Sequence, residues 1–195
     1  MKLYYVPGVC SLAPHIVLRE MGAEFQLDKL DRKTRITESG VSFTELNPKN
    51  YVPALQLDDG TVLTEGASIL MYLADQDGGE KVAPKPGSKE RYKLQEWLVF
   101  IATEIHKNFS PLFRNTPDPT PRETLQKRLD LVADTLTRQP WLVGEKFTVA
   151  DAYLFTVLRW AARVDLPLPP SLQRFMERVK ARPAVAKALE VEGLT

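Results

Sequence analysis

The single cysteine of this 195-residue sequence is the side chain whose chemistry is easiest to specify. Cys10 follows a short apolar run that stops at Pro7-Gly8, and helical periodicity begins at Ser11. A cysteine at a helix start lies near free N–H groups and the positive end of the helix dipole, which lower the pKa of a thiol from about 8.5. The position favours a reactive thiolate; the alternative is a buried, inert core cysteine.

The sequence contains few other metal-binding or nucleophilic side chains. With one cysteine, and His15 and His106 as the only histidines, we expect neither an intrachain disulfide nor a metal site. The 26 basic and 25 acidic residues leave a net charge of +1, which gives no electrostatic basis for binding nucleic acid or a membrane. Since no apolar stretch resembles a membrane span or the core of a signal peptide, we expect a cytoplasmic protein.

The elements that must position Cys10 are those of a small α/β domain. Apolar periodicity and turn residues predict, in order, a strand at 3–6, a helix at 11–22, strands at 25–30, 53–57 and 61–63, and a helix from 65. The order β-α-β followed by β-β-α is that of a thioredoxin-like fold, in which the first two strands are parallel.

The remainder of the chain is predicted to be helical. A Gly- and Pro-rich linker at 79–87 separates the α/β domain, residues 1–78, from an all-α domain, residues 88–195. Four helices are predicted, and their inward-facing residues are Tyr92, Trp97, Ile101, Ile105 and Phe109; Leu125, Leu129, Val132 and Leu136; Ala152, Phe155, Leu158 and Ala162; and Phe175 and Val179. The fourth helix is predicted to end at Pro183.

Thr148 and Asp151 have the spacing of a helix capping box, which makes Asp151 structural and not a catalytic acid.

Four segments, in this order, resemble those of cytosolic glutathione transferases. They are Pro7-Gly8-Val9-Cys10-Ser11-Leu12, Asn47-Pro48 through Tyr51-Val52-Pro53-Ala54-Leu55, Leu63-Thr64-Glu65-Gly66-Ala67-Ser68-Ile69 and Phe147-Thr148-Val149-Ala150-Asp151-Ala152. Cys10 and the stretch Glu104-Ile105-His106-Lys107 make the sequence similar to the bacterial beta class in particular. The resemblance implies a thioredoxin-like N-terminal domain, an all-α C-terminal domain, glutathione as co-substrate without a metal, and a homodimer.

The resemblance also implies catalytic roles for three residues. Cys10 is expected beside the glutathione sulfur. Ser11 either donates a hydrogen bond to the sulfur of Cys10 or simply caps the following helix. His106 is expected to reach the sulfur from the helical domain. Taken without the resemblance, a lone histidine on an apolar helix face such as His106 is a structural residue.

Residues that bind glutathione follow from the same comparison. A cis bond between Val52 and Pro53 turns the Val52 main chain toward the cysteinyl part of glutathione; the alternative is an ordinary proline at the start of a strand. Glu65 and the backbone of Gly66 are expected to hold the γ-glutamyl end. The alternative for Glu65 is a carboxylate that serves only the N-terminus of its own helix.

Further assignments depend on the resemblance alone. Arg35 falls where beta-class relatives have a lysine that meets the glycyl carboxylate, and Thr103 or Glu104 is expected to complete the site of the other subunit. Two positions depart from the family pattern. Gly66 stands where members often carry serine, and Val99 stands where close relatives have asparagine, which makes the pocket for the electrophile more apolar.

These features predict a glutathione S-transferase that conjugates glutathione to apolar electrophilic small molecules, with thiol–disulfide exchange linked to Cys10. Glutathione-dependent disulfide reductase or peroxidase activity is compatible with the same thiol. Because position 13 is alanine, no Cys-x-x-Cys motif is present, and a second glutathione must resolve any mixed disulfide. The alternative is a non-catalytic ligandin or a protein-interaction module on the same fold.

Overall fold

The computed structural model describes residues 1–114 and 117–195. This part of the chain divides into two compact units, Met1–Val82 together with Pro183–Thr195, and Ala83–Arg182. The units differ from the predicted domain limits mainly at residues 183–195, which belong with the α/β unit and not with the other helices. No helix in the described ranges has both the length and the hydropathy that crossing a membrane requires.

The first unit contains a four-stranded mixed sheet. Its strands are β1 (Lys2–Tyr5), β2 (Gln26–Lys29), β3 (Ala54–Gln56) and β4 (Val62–Thr64), in the spatial order β2-β1-β3-β4. Strand β1 pairs with β2 in parallel and with β3 antiparallel, and β3 pairs with β4 antiparallel. The predicted thioredoxin-like order is therefore confirmed, with the buried residues Leu3 and Tyr4 on a central strand.

The helices of the described ranges are α1 (Leu12–Met21), α2 (Phe43–Leu46), α3 (Gly66–Leu73), α4 (Lys89–Phe100), α5 (Lys107–Phe113), α6 (Thr120–Arg138), α7 (Val149–Leu158), α8 (Pro170–Lys180) and α9 (Pro183–Val191). Almost every side chain of α1 is buried, so the sheet alone cannot cover this helix. Helix α9 packs against it and buries Val185, Ala188 and Leu189. This packing explains why residues 183–195 belong to the first unit.

In the second unit, α4 continues through a π-helical segment, Ile101–His106, into α5. Ile101, Ile105 and Phe109 are buried as predicted, whereas Tyr92 is 65% exposed, so its predicted inward position is wrong. The buried side of α4 is formed by Arg91, Leu94 and Leu98. Tyr92 lies one residue, or about 100° around the axis, away from that side.

The other predicted helical faces are mostly confirmed. The four leucine and valine positions predicted for α6 are buried, and so are Phe175 and Val179 on α8. Ala162 is exposed, contrary to the prediction, because α7 ends at Leu158 and Ala162 lies in a 3-10 turn, Ala161–Val164. Pro183 is the first residue of α9, where its missing N–H costs no hydrogen bond.

The predicted capping box forms at the start of α7. The buried Asp151 carboxylate accepts hydrogen bonds from the Thr148 amide at 2.8 Å, the Thr148 hydroxyl at 2.7 Å and the Leu142 amide at 2.9 Å. Desolvation raises the pKa of Asp151 to about 6, against the opposing effect of these donors. Asp151 therefore joins the preceding loop to the helix, in the structural role that the sequence indicates.

Candidate functional site

Cys10 lies in the turn between β1 and α1, just before the helix begins at Leu12. Its Sγ donates a hydrogen bond to the main-chain carbonyl of Val52 at 3.2 Å, although the two residues are 42 positions apart. The residue is partly exposed. The turn therefore presents the thiol to the segment that leads into β3.

The electrostatics of Cys10 differ from the expectation based on its position. Desolvation by the surrounding protein raises the pKa of Cys10 to about 12; the amides of Cys10 and Ser11 act in the opposite direction, and the charge of Glu65 raises it further. The predicted lowering of this pKa is wrong for this structure because burial outweighs the amide hydrogen bonds. Cys10 is here a neutral thiol that donates a hydrogen bond.

This protonation state predicts an unusual pH profile for alkylation. Because only the thiolate reacts, the rate with iodoacetamide should rise about tenfold per pH unit between about pH 7 and about pH 10 without levelling off. A free cysteine levels off above its pKa of about 8.5. Alkylation of the intact protein, followed by mass spectrometry, reports on Cys10 alone, and Cys10→Ser supplies the blank. A plateau below about pH 8 would contradict the raised pKa.

The Ser11 side chain fills neither of its predicted roles. Its buried hydroxyl donates to the carbonyl of Val6 at 3.1 Å and accepts from the amide of Val6 at 3.2 Å. It makes no capping hydrogen bond to α1. The Ser11 contribution to Cys10 comes from its backbone amide, which favours the thiolate.

The bond between Val52 and Pro53 is cis, as predicted. Pro53 is buried and Val52 partly buried immediately before β3. The buried Asn47 donates from its side chain to the carbonyl of Tyr51 at 2.9 Å and so anchors the loop that enters this bond. The hydrogen bond between Cys10 and the carbonyl of Val52 shows that these two residues, which the sequence motifs place at one site, are adjacent.

Glu65 precedes α3, and Gly66 is the first residue of that helix. Glu65 has a φ of +66°, in the left-handed region that glycine usually occupies, and its side chain does not cap α3. Its exposed carboxylate accepts hydrogen bonds from the hydroxyl of Tyr51 at 2.7 Å and from Nζ of Lys49 at 3.2 Å. The helix-capping alternative for this carboxylate is not observed.

Arg35 lies against the same loop. Its Nε donates to Oδ1 of Asn50 at 2.8 Å, its guanidinium also donates to the carbonyl of Asn50, and the guanidinium carbon lies 5.4 Å from the centroid of the Phe43 ring. Asn50 has a φ of +59°, which turns the chain between the Arg35 and Glu65 contacts. Lys49, Asn50 and Tyr51 were not predicted from sequence, because nothing in their spacing indicates that their side chains meet Arg35 and Glu65.

The other predicted site residues belong to the second unit. His106 ends the π-helical segment, where its Nδ1 is 2.7 Å from the hydroxyl of Tyr153 and its ring centroid is 4.8 Å from that of Trp160. Thr103 donates to the carbonyl of Val99 at 3.0 Å. Glu104 accepts from Nε of Arg128 at 2.9 Å. In the described part of the chain, no group of three or more histidine, cysteine or carboxylate side chains is arranged to hold a metal ion.

Comparison with known proteins identifies the class that this arrangement defines. The family model described as glutathione S-transferase, N-terminal domain, matches residues 9–76, and the model described as glutathione S-transferase, C-terminal domain, matches residues 100–183. The first range contains Cys10, Val52 and Glu65, and the second contains His106. The chain belongs to the glutathione S-transferase family.

Individual relatives are similar over the whole chain. Glutathione S-transferase GstA of Escherichia coli O157:H7 is 50% identical, with all of both chains covered. A sphingomonad glutathione S-transferase solved with glutathione is 42% identical, with a TM-score of 0.93 and full coverage of both chains. The beta class enzyme of Sphingomonas chungbukensis is also 42% identical, with a TM-score of 0.92 and the same coverage. The resemblance to the bacterial beta class is thereby confirmed.

Proposed function

We propose that this chain conjugates glutathione to apolar electrophilic small molecules and that Cys10 also undergoes thiol–disulfide exchange with glutathione. The observation that carries the proposal is the 3.2 Å contact between the Cys10 thiol and the carbonyl of Val52, at the cis bond that precedes β3. An extended peptide that pairs with the Val52 main chain brings its own central side chain to Cys10. The central residue of glutathione is the cysteine that reacts.

The charges around this contact suit the two ends of glutathione. Glu65 offers a carboxylate to the ammonium of the γ-glutamyl end, and the amides at the start of α3, at Gly66, suit its α-carboxylate. Arg35 is the cation we assign to the glycyl carboxylate. The exposed ion pair between Lys49 and Glu65 adds little stability, about 0–1 kcal/mol, so its members can be redirected to a ligand at small cost.

For conjugation, the raised pKa of Cys10 is an advantage. When glutathione is bound, the single hydrogen of the neutral thiol can turn from the carbonyl of Val52 to the thiolate of glutathione and so favour its ionised form. That thiolate attacks the electrophilic carbon, a C–S bond forms, and the leaving group departs with its electron pair. We assign His106 as a second donor to the sulfur or to the electrophile, and Val99 as part of an apolar substrate surface.

Thiol–disulfide exchange uses Cys10 as the nucleophile. Its thiolate attacks the glutathione sulfur of a mixed substrate disulfide, the substrate leaves as a thiolate, and Cys10 is joined to glutathione. A second glutathione thiolate then attacks the bound glutathione sulfur, which releases oxidised glutathione and restores Cys10. Reductase or peroxidase turnover through Cys10 requires its thiolate, so we expect conjugation to be faster at neutral pH.

Binding to immobilised glutathione distinguishes this function from that of a non-catalytic module that no longer binds glutathione. The protein should be retained, and Glu65→Gln should weaken the affinity for free glutathione about tenfold in calorimetry, because a charge-assisted hydrogen bond is replaced by a neutral one. Glu45→Gln, at an exposed position on α2, is the matched control. If the protein were not retained on immobilised glutathione, the proposal of an enzymatic function would be wrong.

We further propose a homodimer in the cytoplasm. Tyr92 and Val99 are 65% and 56% exposed and lie seven residues, about two turns, apart on one side of α4. Exposed apolar side chains on one helix face favour a protein partner, and Thr103 or Glu104 is assigned to the glutathione site of the second copy. The free Cys10 is compatible with a reducing compartment.

A further inference from the structure

Glu192 and His15 form a buried polar pair that has no part in the assigned glutathione contacts. Both side chains are fully buried, and Oε1 of Glu192 lies 2.8 Å from Nδ1 of His15, 177 positions away in the sequence. The other ring nitrogen, Nε2, accepts a hydrogen bond from Nε of Arg19 at 2.8 Å. A buried ionisable pair is seldom the most stabilising choice for a core position, since apolar side chains of similar volume often serve as well.

The hydrogen bonds fix the proton on the His15 ring. Nε of Arg19 always carries a hydrogen and can only donate, so Nε2 of His15 must be the acceptor. The ring hydrogen is then on Nδ1 and is donated to Glu192. Glu192 is left with its second oxygen, Oε2, available for another donor.

That donor is the main-chain amide of Gly8, 2.9 Å from Oε2 of Glu192. Gly8 belongs to the turn that leads directly to Cys10, and it has a φ of +73°. A side chain of Leu194 also lies against this turn, so close that its Cδ2 would be 3.2 Å from a Cβ added at Gly8. The segment after α9 therefore touches the turn through both a carboxylate and an apolar side chain.

We propose that Glu192, oriented by His15, is a positioning residue that holds the Gly8 turn so that the Cys10 sulfur faces the Val52 carbonyl. Ser11 anchors the other side of Cys10 through its two hydrogen bonds to Val6. Cys10 thus lies between two fixed points, and Glu192 supplies the one that comes from a distant part of the sequence. The inference deepens the proposed function and rests on Cys10 reacting with glutathione.

The variant Glu192→Gln tests the role with little change in volume. Glutamine retains one acceptor but places an N–H₂ donor against either the Gly8 amide or the Nδ1–H of His15, so one contact is lost. Two rates are measured at one pH: formation of the Cys10–glutathione disulfide from oxidised glutathione, and alkylation by iodoacetamide. Both reactions use the thiolate, so their ratio cancels the thiolate fraction and reports how well Cys10 is positioned for glutathione.

In Glu192→Gln we expect alkylation to be about tenfold faster near pH 8, because a loosened turn exposes the thiol, and disulfide formation to be slower than in the wild-type protein, so the ratio should fall by more than about tenfold. The matched control is Glu190→Gln, which breaks an exposed ion pair with Lys187 on the same helix and should leave both rates unchanged. An unchanged ratio in a folded Glu192→Gln protein would overturn the inference. If Glu192→Gln fails to fold, Leu194→Ala removes the second contact with Gly8, and the same directions are expected.

Failure of the proposed function gives a different result. If the wild-type protein formed no disulfide with glutathione, the exchange role of Cys10 would be lost, and the comparison would depend on alkylation alone. Glu192→Gln must then still accelerate alkylation while thermal unfolding shows that the protein is folded. An alkylation rate equal to that of the wild-type protein would overturn the positioning role in that case as well.

Discussion

Replacing Cys10 with alanine is expected to lower glutathione-dependent disulfide exchange by at least about 10³-fold while conjugation of glutathione to an aromatic halide falls by no more than about tenfold. The difference arises because exchange needs a sulfur nucleophile and the chain has no other cysteine to replace it. Conjugation uses the sulfur of glutathione itself and loses only one hydrogen-bond donor. Steady-state rates with a mixed glutathione disulfide and with the halide measure the two reactions.

Cys10→Ser separates the nucleophile from the hydrogen-bond donor. Serine keeps a donor near the carbonyl of Val52 but is a very weak nucleophile at neutral pH, so exchange should be lost as in Cys10→Ala and conjugation should be closer to the wild-type rate. Mass spectrometry after incubation with oxidised glutathione should show a mixed disulfide in the wild-type protein alone. Exchange that persists in Cys10→Ala would show that the assigned nucleophile is wrong.

Replacing Asp151 with alanine is expected to lower the free energy of unfolding by about 3–5 kcal/mol. The substitution removes the acceptor for Thr148 and for the Leu142 amide, and each buried donor left without a partner costs about 1–3 kcal/mol. Urea unfolding measures the loss. The control is Asp118→Ala, which removes an exposed acceptor for the Thr120 amide at the start of α6 and should cost about 1 kcal/mol or less. Equal losses in the two variants would contradict the role of burial.

The raised pKa of Asp151 adds a pH dependence to this result. Its folded value of about 6 lies above the ordinary carboxyl value, so the folded state binds the proton more tightly than the unfolded state does. The stability linked to this proton is fully present below the ordinary pKa and is lost as the pH rises through about 6. The free energy of unfolding of the wild-type protein relative to Asp151→Asn should therefore increase by about 1–3 kcal/mol from about pH 7 to about pH 4.

Local patterns predicted the parts of the site that are contiguous in sequence. The Pro7-Gly8 turn and the capping box at Asp151 each have a backbone cause that lies within a few residues, whereas the cis bond at Pro53 was expected from the family resemblance. The direction of the Cys10 pKa was missed because the sequence shows the helix start that lowers it but not the desolvation that raises it. Tyr92 was misplaced because helical spacing does not state which apolar side chains remain at the surface.

Contacts over long sequence separations were not predictable from the pattern. Glu192 and Gly8 are 184 positions apart, and neither residue type indicates the other. The same is true of Glu65, whose partners Lys49 and Tyr51 are brought to it by the loop before β3. Such pairs depend on how the helices pack over the sheet, which composition and periodicity leave open.

The packing of α9 on α1 has a consequence for biosynthesis. The first unit is discontinuous in sequence, since residues 183–195 complete what residues 1–82 begin. A nascent chain that has reached residue 182 has made every strand of the sheet but still lacks the helix that covers α1 and the carboxylate that meets Gly8. The turn carrying Cys10 can therefore reach its final geometry only after residues 183–195 have left the ribosome, which delays assembly of the reactive site until the rest of the described chain has been synthesised.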